Sequence, residues 1–320
     1  VSSPMEVLLQ QIEAHWASKQ RNLGVMGLRR YGAGQQLCVC HTESQQWADA
    51  VVLQPHEERW SAMHTLRNET DGSTFSLSLT PFNHTPREMP LHIFNSLWKR
   101  HCRTMRAQHA SITDALSGRR LDTLAHCVPI EMARASHSIT HEGSKKEAGK
   151  NTDVHDAEGL IKWLRGKHEQ RCRKDDDVVD AVCVLVTAGP AAGKTCLMSQ
   201  LVMYVVASDS GAVDIAPGVY DLLPIFIRVQ DLQKRLLDQE DAFATSWNWV
   251  DAYLCIVHGG NSELYQFLRQ ALKARRALLL LDGIDEAGRA RNRIEDHLTG
   301  VLAAQGHAMI LTSRPNGVRE

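Results

Sequence analysis

The sequence predicts an α/β fold, with a parallel sheet flanked by helices over about residues 157–320 and a smaller mixed β/α region ahead of it. Three observations predict it. Short apolar runs of strand length stand at Val182–Val186, Leu278–Leu281 and Ala308–Leu311, the pattern of parallel strands covered on both faces. The first run feeds a glycine-containing loop and then helical spacing at Leu197, Leu201 and Val205. Upstream, Phe75, Leu77 and Leu79 alternate with Ser76, Ser78 and Thr80, the period of a sheet with one wet face.

With 320 residues and 43% hydrophobic content the chain is long enough for two compact domains. An N-terminal region is expected over 1–137, with a β-rich part at about 28–82 and a helical part at about 91–136. Within it, residues 5–20 read as a short helix. Strands are expected at Leu37–His41, Trp47–Leu53, Trp60–Leu66 and Thr74–Thr80, forming a small barrel or meander, with a turn-rich break at Pro81–Pro90. Residues 138–156 are polar and poor in large apolar groups, so burial cannot offset the entropy of ordering them, and they read as a linker. The second domain is expected over 157–320, opening on helical spacing at Leu160, Ile161 and Leu164. Val1 in place of Met, and an end just after an apolar strand, lead us to expect a fragment of a longer chain, truncated at the C-terminal end of this domain.

Net charge is −1, from 36 basic and 37 acidic side chains, which gives no electrostatic reason to expect nucleic acid as a partner. A basic stretch at Lys99, Arg100, Arg103 and Arg106 reads as a solvated helix face. No run approaches the roughly 18 apolar residues of a membrane span, and no signal-peptide layout opens the chain. The 8 cysteines are scattered without CxxC pairs, so free thiols in a reduced, cytoplasmic setting are expected. Cys38, Cys40 and His41 lack a spaced partner pair and read as strand packing. The sequons at Asn68 and Asn83 read as chance without a signal peptide.

The chemistry concentrates in two places. Ala188, Gly189, Pro190, Ala191, Ala192, Gly193, Lys194, Thr195 and Cys196 join the first apolar strand to the helix that follows. A triphosphate needs backbone N–H groups turned inward, a positive helix end and one ammonium, which is what a strand, glycine loop and helix supply. Gly193 permits close backbone approach, Lys194 is expected on the β- and γ-phosphates, and the Thr195 hydroxyl on Mg²⁺. The first position of the GxxxxGK[ST] pattern is Ala188, tolerated if its φ stays negative. On this reading the domain is a P-loop NTPase.

The second place is the end of the Leu278–Leu281 run, where Asp282, Gly283, Ile284, Asp285 and Glu286 follow. Clustered carboxylates repel unless a cation accompanies them. Asp282 is expected on Mg²⁺ or its water, and Asp285 or Glu286 at the attacking water. DxxG at Asp285–Gly288 resembles a GTPase motif, but the strand ends earlier, at Asp282, and no NKxD follows anywhere. Ala308–Leu311 closes with Thr312, Ser313, Arg314 and Pro315, where an arginine or hydroxyl at a neighbouring strand end points into the same crevice.

Taken together, GPAAGKT, LPIFIRVQDL at Leu223–Leu232, LLLLDGIDEAG at Leu278–Gly288 and LTSRP at Leu311–Pro315 resemble the NACHT branch of the STAND ATPases. The resemblance covers about residues 157–320. It implies ATP and Mg²⁺ as cofactors, Lys194 on phosphate, Thr195 and Asp282 on the metal, Asp285 and Glu286 near the water, and Arg314 as a catalytic sensor of the γ-phosphate. It further implies a slowly hydrolysing signalling ATPase whose nucleotide state controls conformation, protein partners and self-association in the longer chain. Two alternatives stand beside it: a hydrolysis-deficient nucleotide-bound scaffold, prompted by Ala188, and a small-molecule kinase on the same fold.

Overall fold

A computed structural model of the chain describes residues 31–41, 46–55, 63–80, 82–113, 117–125, 156–173, 182–207, 217–218 and 220–315. The expected helix at 5–20 and the linker, apart from Asp156, lie outside the described residues.

The N-terminal strands are β1 (Gln36–His41), β2 (Gln46–Pro55), β3 (Met63–Asn68), β4 (Thr74–Ser78) and β5 (His84–Pro86). They form one antiparallel sheet in the order β4-β3-β2-β1-β5. This is a meander with β5 added beyond β1, and among the described residues β4 and β5 are not paired to close a barrel. The strand expected at Trp60–Leu66 is β3, starting three residues later, and β5 lies inside the stretch expected to be a plain turn. Leu37, Val39, Ala50, Val52, Leu66 and Leu77 fill one face, the alternation that period-two side chains impose.

Pro90 then opens α1 (Leu91–His109), which buries Phe94, Leu97, Trp98 and Met105 along one stripe. Of the stretch expected to be mainly helical to 136, residues 91–109 are helix, and residues 126–136 lie outside the described residues. At the end of α1 the chain turns into a two-stranded ribbon of β6 (Ser111–Thr113) and β7 (Arg120–Asp122). The last carbonyls of a helix need donors; here the Thr123 hydroxyl donates to His109 O at 2.5 Å and Thr123 N–H to Ala110 O at 2.9 Å, which holds the ribbon against the helix end.

The second sheet is parallel, in the order β8-β11-β10-β9, from β8 (Val182–Thr187), β9 (Leu223–Arg228), β10 (Ala277–Asp282) and β11 (Ala308–Ser313). Seven α-helices flank it among the described residues: α2 (Ala157–Arg173), α3 (Lys194–Val206), α4 (Val229–Asp238), α5 (Glu240–Thr245), α6 (Trp249–His258), α7 (Glu263–Lys273) and α8 (Arg291–His297). Successive side chains of a strand point to opposite faces. Leu278, Leu280 and Ile310 pack with Leu160, Leu164, Leu197 and Leu201 on one side. Leu279, Leu281, Met309 and Leu311 pack with residues of α4, α6, α7 and α8 on the other. Burial on both faces is why these strands read as unbroken apolar runs.

Helix α1 departs from the expected domain division. Its Phe94, Leu97 and Trp98 share a core with Leu223, Ile225 and Phe267, while Met105 packs in the layer on the opposite face. The helix therefore wraps the β9 edge and belongs physically to the second half. Pro224, which has no N–H for a ladder, is tolerated because β9 is an edge strand; its carbonyl accepts from His101 Nε2 at 2.9 Å. Arg103 and Arg106 are exposed, and Arg100 pairs with Glu263 at 3.0 Å. No helix among the described residues is long and apolar enough to cross a membrane.

Candidate nucleotide-binding site

The loop between β8 and α3 leaves the C-terminal end of the sheet. Ala188 N–H donates to Ser313 O at 3.1 Å, which extends the β8–β11 pairing into the first loop residue. Ala188 has no positive φ, whereas Ala191 (φ 57°) and Gly193 (φ 79°) are left-handed. The left-handed form costs a non-glycine residue roughly 1–2 kcal/mol, so Ala191 holds strain that Gly193 does not. Pro190, Ala191 and Ala192 form the exposed crest; Gly189, Gly193, Lys194 and Cys196 are half-buried, and Thr195 is open to solvent.

At the start of α3, no acceptor among the described residues takes the N–H groups of Gly193, Lys194 or Thr195. These are the orphan donors of a helix N-terminus, in position for an anion. Lys194 Nζ donates to Ala188 O at 3.1 Å and Gly189 O at 3.2 Å, folding the ammonium over the loop, and it meets no carboxylate among the described residues.

Asp282, at the end of β10, is buried at 9% exposure. Thr195 Oγ1 donates to its Oδ2 at 3.0 Å across 87 positions of sequence. Its Oδ1 accepts from Thr312 Oγ1 at 2.6 Å, and the same hydroxyl accepts from Gly283 N–H at 2.9 Å. β11 lies between β8 and β10. Thr195 thus reaches from α3 over the end of β11 to Asp282, with Thr312 beneath.

The three carboxylates do not share one environment. Asp285 is engaged by Arg314 twice, by Nε at 2.9 Å and by the backbone N–H at 3.0 Å. Glu286 is exposed, on the 3₁₀ turn Ile284–Glu286 that Gly283 opens with φ 81°. A Cβ at Gly283 would come within 3.2 Å of the Glu286 side chain. The resemblance gave Asp285 and Arg314 separate roles; in the structure each satisfies the other.

The site's donor set fits a triphosphate with a hard cation. A hydroxyl and a carboxylate oxygen at hydrogen-bond distance are the oxygen ligands that Mg²⁺ takes alongside phosphate, and the N–H row and ammonium are what the phosphates take. Sequence reasoning missed the double role of Thr312. The signal was available as a hydroxyl directly after an apolar strand. A cavity of about 670 Å³ lies elsewhere, lined by Tyr31, Gln35, Gln36 and Arg87 of the N-terminal sheet, and holds none of these residues. Among the described residues no group of three or more His, Cys, Asp or Glu is placed to hold a metal alone. A cation at Asp282 would therefore rely on hydroxyl, phosphate or water oxygens for its other ligands.

The described cysteines are free thiols. Burial pushes the Cys38, Cys102, Cys172 and Cys183 thiols up to about 12, so they pack as inert small hydrophobes. Comparison of the chain with family models, with curated proteins and with solved structures returned no match.

Proposed function

We propose that the chain binds ATP with Mg²⁺ at the 188–196 loop and hydrolyses it slowly, as a signalling switch of the NACHT type. The observation that carries this reading is the Thr195–Asp282 hydrogen bond at 3.0 Å, which brings a loop hydroxyl to a strand-end carboxylate, on a loop whose Lys194 ammonium meets no carboxylate among the described residues. The N–H groups of 193–195 bind phosphate oxygens and Lys194 adds the positive charge. Thr195 and Asp282 hold the metal, Thr312 orients Asp282, and Glu286 orients the attacking water. A bound Mg²⁺ supplies neutralisation of the triphosphate charge. Without an arginine supplied by a partner, turnover on such a site is on the order of 10⁻⁴ to 10⁻² per second, so binding rather than hydrolysis carries the signal.

The mutual engagement of Asp285 and Arg314 favours a second reading, a nucleotide-bound scaffold with negligible hydrolysis. Fluorescent ATP and ADP binding with and without Mg²⁺, followed by phosphate release, separates the two. Lys194→Ala is expected to abolish binding, and Glu286→Gln to keep ATP but slow its hydrolysis. Wild-type binding by Lys194→Ala rules out the loop assignment; phosphate release indifferent to Asp285 and Glu286 selects the scaffold.

A further inference from the structure

We propose that α1 is a bracket through which the N-terminal sheet sets the geometry of the nucleotide site, with His109, Ser199 and Gln270 as its positioning residues. The proposal rests on the nucleotide reading above and names the regulation of that same site.

One end of α1 is bonded to the helix that carries Thr195, and the connector that leads into its other end is bonded to α7, the helix that precedes the strand of Asp282. At the C-terminal end, a hydrogen bond of 3.1 Å joins His109 Nδ1 to Ser199 Oγ. Ser199 is buried on α3 and stands four residues, about one helical turn, after Thr195. The His109 ring also meets Phe226 of β9 edge-on, with centroids 5.0 Å apart. A displacement of the end of α1 is thus delivered to the helix whose first turn holds the loop.

At the N-terminal end, Gln270 Oε1 accepts from the backbone N–H groups of Glu88 (2.8 Å) and Met89 (2.9 Å), the connector between β5 and α1. Gln270 is 1% exposed and lies on α7, which leads directly into β10 and Asp282. Lys273, one turn further along α7, pairs with Glu88. The sheet itself reaches both partners. Asp49 Oδ2 of β2 accepts from Leu91 N–H at 2.9 Å, where α1 starts. The Arg276 guanidinium, just before β10, lies 4.7 Å from the Trp98 ring of α1 and 5.1 Å from the Trp47 ring of β2. Arg276 is 3% exposed and donates to Gly218 O at 3.0 Å.

A helix of 19 residues spans about 28 Å as a stiff rod. Its two ends cannot shift independently, so α3 and α7 are tied to one body. Binding that draws Thr195 and Asp282 onto one nucleotide fixes the spacing of α3 and β10, and hence of the points that α1 grips. Coupling of this kind is reciprocal and is worth roughly 5- to 150-fold. What the N-terminal sheet does to nucleotide affinity, nucleotide does to the order of α1.

Amide hydrogen exchange of the full 320-residue chain with and without Mg²⁺-ADP tests this. In wild type we expect slowed exchange in α3 and, by at least about fivefold, in the connector 87–91 and the last turn of α1. Ser199→Ala removes one hydroxyl with little change of shape. It should keep the protection of α3 and lose that of the α1 end, and Ser199→Thr should restore it. Gln270→Ala should lose the connector's response in the same way. The bracket is overturned if α3 is protected while α1 is indifferent to Mg²⁺-ADP, or if Ser199→Ala and Gln270→Ala respond as wild type does. If α3 itself gains no protection, the nucleotide reading falls and the bracket falls with it.

Discussion

Replacing Thr312 with valine keeps the shape of a fully buried side chain and removes one hydroxyl that serves two partners at once. The lost bonds are the donation to Asp282 Oδ1 at 2.6 Å and the acceptance from Gly283 N–H at 2.9 Å, at a residue of 0% exposure. A hydrogen bond to a carboxylate contributes about 1.5–3 kcal/mol, and an orphaned buried N–H costs about 1–3. The added methyl returns roughly 0.8 kcal/mol of apolar burial. The net expectation is a loss of about 2–5 kcal/mol for Thr312→Val, whereas Thr312→Ser keeps both bonds and gives up one methyl, about 1 kcal/mol. Urea unfolding followed by tryptophan fluorescence reads this as a fall in midpoint at constant slope, by about 1 M or more. In the same variant, Asp282 loses the partner that orients it, and Mg²⁺-dependent nucleotide affinity should fall about 10- to 100-fold, the effect of removing an outer partner of a metal ligand. A valine variant as stable as the serine one would refute the hydrogen-bond assignment at Asp282, whatever the ligand proves to be.

Three further perturbations follow from the same geometry. Asp285→Asn breaks the ion pair that occupies Arg314, whose guanidinium side is open to solvent while the carboxylate is largely covered; if Arg314 then turns to phosphate, ATP affinity rises over ADP, and an unchanged ratio in competition binding removes Arg314 from the site. Gly283→Ala forces φ 81° on an L residue and brings its Cβ within 3.2 Å of Glu286, whose flexible end yields; a loss of about 1–2 kcal/mol by thermal unfolding is expected, and no loss would mean that the turn relaxes freely. His297 stacks on Trp249 at 4.3 Å, accepts its backbone N–H at Nε2, and burial lowers its pKa from 6.5 to about 4. Its stabilising effect is therefore complete above pH 6.5 and fades as pH falls toward 4, because the unfolded chain takes up the proton first, at about 1.4 kcal/mol per pH unit. His168 and His307, also lowered by burial, act with the same sign. Unfolding midpoints from pH 7 to 5 should drop, and His297→Gln should flatten the slope by one proton; an equal slope in both proteins would show that this ring does not titrate between them.

What was legible and what was not divides along a physical line. β8, β10 and β11 declared themselves because strands buried on both faces leave no polar alternation to confuse them. The loop was legible because only glycine enters the Gly193 conformation without cost and because Lys194 and Thr195 follow it directly. Pairings between distant residues were not. Asp285 and Arg314 stand 29 positions apart, and nothing in either motif says that the two strand ends lie close enough for one to neutralise the other. Helix α1 is the larger case. Phe94, Leu97 and Trp98 announce a buried face, but periodicity cannot say that the partner is Phe267 or Leu223 rather than the sheet just upstream. The basic residues at 99–106, the most visible feature in sequence, include the exposed Arg100, Arg103 and Arg106, while the informative His101 and His109 point inward to Pro224 and Ser199. A polar side chain inside a helix reads as solvent-facing unless its partner is known. Here those inward polar groups join a helix expected in the N-terminal region to the parallel-sheet half, so a boundary drawn through the polar stretch after it separates pieces that share one core.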